Sequence, residues 1–429
     1  MENLNIMNTK EIYNIFKRST GISTDTRTIK EGNLFFSLSG ENFNGNKFAK
    51  TALEKGAAYA IIDDEDYTQE NTILVEDTLK TLQELAKHHR TQLNIPIIAL
   101  TGSNGKTTTK ELINCVLSKK YKTTATKGNL NNHIGVPLTL LSMNRSTEIG
   151  IVEMGANNFG EIELLASLAT PDYGYITNFG KAHLEGFGNL EGVIKAKSEL
   201  YNYLRNNNKK AFVNSDNNTQ IKQSNNIDSI TFSENDNSDI KVTFLEANPT
   251  VTVNYKKQNI KSNLIGSYNF TNIAAAISIG SHFKVDAFDI VNAIETYTPN
   301  NNRSQIIHKN TNKIILDAYN ANPTSMKAAL ESFSQLETEN KAVFIGDMFE
   351  LGETSKKEHQ NIIDYLESLN IKYNYIIGEH FKKTDHSNTT RSFSDFNALS
   401  DGFNNELNNH TILIKGSRGM ALERILELL

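Results

Sequence analysis

Apolar positions along the chain alternate between short continuous runs and helical spacing, and that alternation predicts an α/β protein. Runs at 34–38 and 58–62 read as strands, with helical patterns at 48–55 and 79–90. The continuous run 94–100 predicts a buried strand, followed by a Gly-rich turn and a helix over 106–119. Runs at 149–153 and 173–177 enclose a helical stretch at 160–169, as in a parallel sheet. The polar, Asn-rich region 206–261 is expected to break this rhythm with short strands and turns before a helix over 269–281. A last alternation places strands at 313–316, 342–345, 373–377 and 412–415. Boundaries near 92 and 300 divide the chain into 1–92, 93–300 and 301–429.

Composition narrows the function. A chain of 429 residues exceeds one ordinary core, which allows clefts between domains. The net charge of -5 supplies no basic field, so nucleic acid is not an expected partner. Cys115 is the single cysteine, excluding an intramolecular disulfide framework and cysteine-clustered zinc. No apolar stretch approaches the length of a membrane span, and the first twenty or so residues lack a signal-peptide core. A cytoplasmic protein without membrane insertion is expected.

The strongest chemical signal is TGSNGKTTT, residues 101–109, between a predicted strand and a predicted helix. Gly102 and Gly105 allow backbone N–H groups to wrap phosphate oxygens, Lys106 can reach the β- and γ-phosphates, and Thr107 can ligate Mg²⁺. Leu100 stands where the general P-loop pattern has its first glycine. Glu153 ends an apolar strand, where a carboxylate serves equally as metal ligand or as solvated cap. His183 alone reads as an ordinary loop histidine, and Lys195 and Lys197 as a solvated helix face.

In chain order, TGSNGKTTTKE, KGNLNNHIGVPLTLL, EMGANNFGEI, NFGKAHLEGFG, KAKSELY, GSYNFTNIAAA, DAYNANPTSM, GDMFELGE and KGSRGMALE resemble the Mur ligase family, on its dipeptide-adding branch. The resemblance implies three domains: a small N-terminal α/β domain for the UDP precursor, a central P-loop-type parallel-sheet ATPase domain, and a C-terminal Rossmann-like domain. It implies ATP and Mg²⁺ as cofactors, and UDP-MurNAc-tripeptide and D-Ala-D-Ala as substrates of a monomeric ligase. ATP would lie on Thr101, Gly102, Ser103, Asn104, Gly105, Lys106, Thr107 and Thr108. Asn269 and Asn272 resemble adenine-binding asparagines, although on their own they read as helix caps. Arg303, Asp317, Tyr319 and Asn320 resemble hinge-side nucleotide contacts.

By the same resemblance, Thr107, Glu153, His183 and a carbamylated Lys197 hold metal, and Lys106, Lys197 and His183 are catalytic. Asn131, Asn132, Asp347, Lys415, Ser417 and Arg418 are candidate substrate contacts, as are Thr24, Asp25 and Arg27 in the uridine region. Relatives often carry an Asp-Gly-His-Asp-like run where this chain has Asn44, Gly45, Asn46 and Lys47, so no single contact transfers to that loop. Outside the family, the alternative is a P-loop switch protein with slow ATP hydrolysis. Substrate-dependent ADP release separates the two.

Overall fold

The computed structural model describes residues 7–404 and 406–429. Its first sheet is parallel and four-stranded, running Ile22–Ser23, Leu34–Phe36, Tyr59–Ile62 and Thr72–Leu74. The helix Thr78–Leu93 follows, capped by Asp77, which accepts from Lys80 N at 2.7 Å, and ended by Asn94 in the left-handed region at φ 48°. This helix packs on Gly135–Leu141 of the next unit. Buried Arg90 reaches across the seam to the carbonyls of Ala169 and Thr170 and to Asp172, at 2.8 Å from the carboxylate.

The central sheet has seven parallel strands. From one edge they are Thr123–Ala125, Ile149–Glu153, Ile97–Thr101, Tyr173–Ile176, Lys210–Asn214, Asp228–Ser233 and Ile240–Lys241. Ile97–Thr101 lies between strands that follow it in sequence, so the crossovers diverge on either side of it. A crevice opens at the carboxyl ends of such strands. Ile97–Thr101 and Ile149–Glu153 are buried throughout, which explains their continuous apolar runs.

The region 206–261 departs from expectation. Its first half continues the parallel sheet, with Asp228–Ser233 in register beside Lys210–Asn214 and the helix Asn218–Gln223 as crossover. Only Thr243–Ala247, Thr250–Tyr255 and Gln258–Ile265 form a separate antiparallel sheet. Short strands between Asn-rich turns look alike in both settings, because sheet membership is decided by pairing across long sequence distances.

The last sheet is six-stranded. Gln305–Lys309 is an antiparallel edge, followed in space by the parallel strands Asn312–Asp317, Thr411–Lys415, Lys341–Gly346, Tyr373–Ile377 and Thr390–Phe393. Among the described residues, no helix is long and apolar enough to cross a membrane.

Candidate active site

A cleft of about 760 Å³ lies between the carboxyl ends of the central strands and the C-terminal sheet. Its floor is the turn after Ile97–Thr101. Gly105, at φ 77°, ends this turn as the N-cap of the helix Lys106–Leu117. A Cβ there would come within 2.7 Å of the Asn272 amide, so only glycine lets the turn close against the helix Asn269–His282. Gly102, at φ 145°, is equally constrained, because a Cβ would strike the Thr177 hydroxyl. Ser103, Asn104, Lys106, Thr107 and Thr108 line the cleft. Thr101 is buried beneath them, its hydroxyl without a hydrogen-bond partner.

Lys106 donates from Nζ to its own turn, to Gly102 O at 2.6 Å. Desolvation pulls its pKa below the usual lysine range, with Glu153 opposing. Thr107 and Asn131 both donate to Glu153 Oε1, at 3.2 and 2.7 Å. Glu153 is 1% exposed, and its Oε2 has no hydrogen-bond partner. A buried carboxylate oxygen without a donor is costly unless a ligand meets it, and an oxygen-seeking cation beside Thr107 fits that need. The solvated-cap alternative for Glu153 is thereby removed.

The loop after Tyr173–Ile176 carries His183, which enters the left-handed region at φ 52°. Its Nδ1 lies 2.6 Å from Glu350 Oε2, close enough for an ion pair but not aligned for a hydrogen bond. The helix Leu190–Lys197 corrects the reading of its two lysines as one solvated face. Lys195 is exposed, as read, whereas Lys197 is fully buried and donates to Ala156 O at 3.1 Å. Burial drives Lys197 well below the ordinary lysine range, and repulsion from Lys106 adds to this.

Asn269 and Asn272 are buried on the cleft wall. Asn272 donates to Asn269 Oδ1 at 2.8 Å and accepts from Thr109 at 3.0 Å, so the pair does more than cap a helix. From the C-terminal domain, Arg303 stacks on Tyr319 with its guanidinium 3.7 Å from the ring centre. Asp317 pairs with buried Lys415 at 2.5 Å and accepts from Ser304 N. Asn320 completes this wall, while Asn131 and Asn132 line the opposite side. Asn132 also accepts from Gly135 N, beginning the helix Gly135–Leu141.

Other sequence candidates stay outside the cleft. Asp347 is buried and accepts from the backbone N–H of His380 and Phe381, which makes it a loop anchor. The hydroxyl of Ser417 accepts from Phe349 N. Arg418 is exposed and pairs with Glu423 at 2.9 Å. Asp25 and Arg27 pair with each other, and the guanidinium holds the carboxyl at about 2. Neither they nor Thr24 line the open second cleft of about 840 Å³, which is bordered instead by Asn44, Asn46, Lys47 and Asp63. Asn46 there bonds Asp63 at 2.7 Å.

Several contacts were not foreseen. Asn322 donates to Asn104 Oδ1 at 2.7 Å, Thr324 accepts from Lys181 N, and Lys181 pairs with Glu358 at 2.6 Å, all across the cleft. Glu350 lies in the quoted string GDMFELGE, but spacing alone does not say which residue of another domain it meets.

Comparisons with known proteins agree across the whole chain. Family models described as Mur ligase family, catalytic domain; Mur ligase middle domain; and Mur ligase, glutamate ligase domain match residues 18–90, 100–280 and 302–418. The chain is 36% identical over 427 residues to the UDP-N-acetylmuramoyl-tripeptide--D-alanyl-D-alanine ligase of Bacillus subtilis, covering 95% of this chain and 92% of that one. The crystal structure of MurF from Acinetobacter baumannii superposes with a TM-score of 0.83 at 27% identity, over 99% of this chain and 98% of that one. MurF from Thermotoga maritima in complex with ADP gives 0.82 at 26% identity, over 96% and 97%. With the P-loop, the buried lysine and the two-sided cleft built from the family's strings in family order, the chain belongs to the Mur ligase family.

Proposed function

We propose that the cleft carries out the reaction named for the chain's relatives, the ATP-dependent joining of D-Ala-D-Ala to UDP-MurNAc-tripeptide. The observation that carries this reading is the placing of Lys106 and Glu153 at a P-loop faced by a second domain, with buried Lys197 directly behind the cleft wall on Ala156 O. ATP phosphates would lie on the backbone N–H groups of residues 102–107, with Lys106 turning from Gly102 O to the phosphates. Asn269, Asn272, Arg303, Asp317, Tyr319 and Asn320 would hold the nucleoside end. Lys415 would keep Asp317 in place.

The tripeptide's terminal carboxylate attacks the γ-phosphorus, and the bond to the β-phosphate oxygen breaks to leave ADP and an acyl phosphate. The dipeptide amine then attacks the acyl carbon, loses a proton, and expels phosphate as the amide forms. Lys106 offsets charge on the transferring group. Closure of the C-terminal wall aligns the reactants and excludes water from the acyl phosphate.

Mg²⁺ would be held by Thr107 and Glu153, with His183 and carbamylated Lys197 adjoining, and would supply neutralisation of phosphoryl charge. The depressed pKa of Lys197 favours the neutral amine, which is the form that adds CO₂ with release of one proton, and the resulting carbamate puts a hard oxygen donor in place of a buried amine. The single cysteine suits a reducing, cytoplasmic setting.

The test is substrate omission. ADP and phosphate should appear only when tripeptide precursor, D-Ala-D-Ala, ATP and Mg²⁺ are all present, with the ligated product seen by mass. Equal ADP release without the dipeptide would favour the switch-protein alternative.

A further inference from the structure

We infer that Glu350 is a positioning residue for His183, delivered to the metal side of the cleft from the C-terminal domain. Glu350 sits in the turn after Lys341–Gly346 and adopts φ 61°, a left-handed conformation uncommon for a residue with a side chain. His183, at φ 52°, does the same on the facing loop. Two such residues meeting side chain to side chain, at 2.6 Å, mark a geometry that the surrounding structure enforces.

The backbone enforces it directly. Glu350 O accepts from Glu185 N at 3.1 Å, tying the two loops at Glu350 itself and two residues beyond His183. The turn bearing Glu350 is fixed from behind as well. Met348 N donates to His359 Nε2 at 3.0 Å, and Phe349 N donates to Ser417 Oγ at 2.9 Å. Buried His359 and Ser417 thus set where the carboxylate arrives.

A carboxylate 2.6 Å from one ring nitrogen draws the imidazole's proton to that side electrostatically, leaving the other nitrogen's lone pair for a metal. Such outer partners typically carry 10–100-fold in metal affinity. Because Glu350 comes from the other side of the cleft, this contribution exists only while the C-terminal domain is closed. Metal affinity and closure are therefore linked through one side chain.

The assignment rests on the ligase reading and is tested by a measurement separate from turnover. Mn²⁺ binding to the enzyme with a non-hydrolysable ATP analogue is followed by electron paramagnetic resonance for the wild type, E350A, E350Q, H183A and the double variant H183A/E350A. Affinity should fall about 10-fold in E350A, less in E350Q, which keeps a polar oxygen beside the ring but loses the charge, and no further in the double variant than in H183A. The Glu350 side chain is half-exposed, so truncation opens no core cavity. Wild-type Mn²⁺ affinity in E350A, or losses that multiply in the double variant, would overturn the assignment while leaving the ligase reading intact. A wild type that forms no ligated product would instead sink the reading.

Discussion

The central domain meets its two neighbours through seams of different character, although one apolar cluster reaches into both. Toward the N-terminal domain, helix Thr78–Leu93 buries Leu82, Leu85 and Ala86 in the apolar cluster that also contains Leu140 and Met143, and the polar groups of Arg90 and His89 are paired within it. Toward the C-terminal domain, the seam encloses the cleft and is crossed by side-chain pairs such as Asn322–Asn104, Lys181–Glu358 and His183–Glu350. Burial of apolar area is hard to exchange for water, whereas polar pairs can be traded for solvent at small net cost. The second seam, with more of its contacts polar, is therefore the easier of the two to separate in water. The groups proposed to act on ATP lie at this second seam.

The largest effect should come from the cleft itself. Lys106→Ala removes the cation proposed to meet the phosphates, and kcat should fall about 10³-fold, equivalent to about 4 kcal/mol. Lys197→Ala should lose a comparable factor, but added short carboxylates should restore part of its activity and none of that of Lys106→Ala. ADP-release kinetics with and without acetate make the distinction. Full activity in Lys197→Ala would remove the carbamate from the proposal.

Next comes the closed seam. Arg90→Ala strips donors from the carbonyls of Ala169 and Thr170 and breaks a buried ion pair, which should cost about 3 kcal/mol. Asp172 retains Lys209 at 2.8 Å, which keeps the loss from the upper end of that class. Urea unfolding measures it, and a loss below about 1 kcal/mol would mean that this seam is not held as described.

The corresponding change at the opening seam should be smaller. Lys181 is 45% exposed, so its pair with Glu358 is screened, and Lys181→Ala should cost about 1 kcal/mol or less in stability. Its signature should be a few-fold rise in KM with kcat little changed, as expected when closure is weakened but the reacting groups stay in place. A stability loss equal to that of Arg90→Ala would erase the contrast between the seams.

The same contrast explains what could be read from the chain. The P-loop was legible because strand, glycines, lysine and helix are contiguous, and the strand Lys341–Gly346 because the apolar run 342–345 within it is uninterrupted. Lys197 read as solvated because its spacing on a short helix does not reveal that Ala156 and Phe187 close over it. The His183–Glu350 meeting is likewise set by how two loops dock, which no local pattern encodes. Asp347 and Ser417 occupied the right strand ends for ligand contacts, yet their side chains are used up in anchoring neighbouring backbone.

The smallest effect separates the seams by pH. His89 is 6% exposed, with Nε2 2.9 Å from Met143 O, and burial lowers its pKa below the ordinary histidine value. The unfolded chain takes up this proton near pH 6.5, before the folded chain does, so stability rises with pH through the window between the two values. The contribution is intact above about pH 6.5 and is lost as pH falls through the folded value, with a slope of at most about 1.4 kcal/mol per pH unit. His282 and His359 are also lowered by burial, so some acid sensitivity will remain in any His89 variant. His89→Gln, whose amide can still donate to Met143 O, should therefore flatten but not abolish the decline in unfolding free energy between pH 7.5 and 5.5. Parallel curves for wild type and variant would place the acid-sensitive group elsewhere, and would leave the N-terminal seam held by its apolar packing and Arg90 alone.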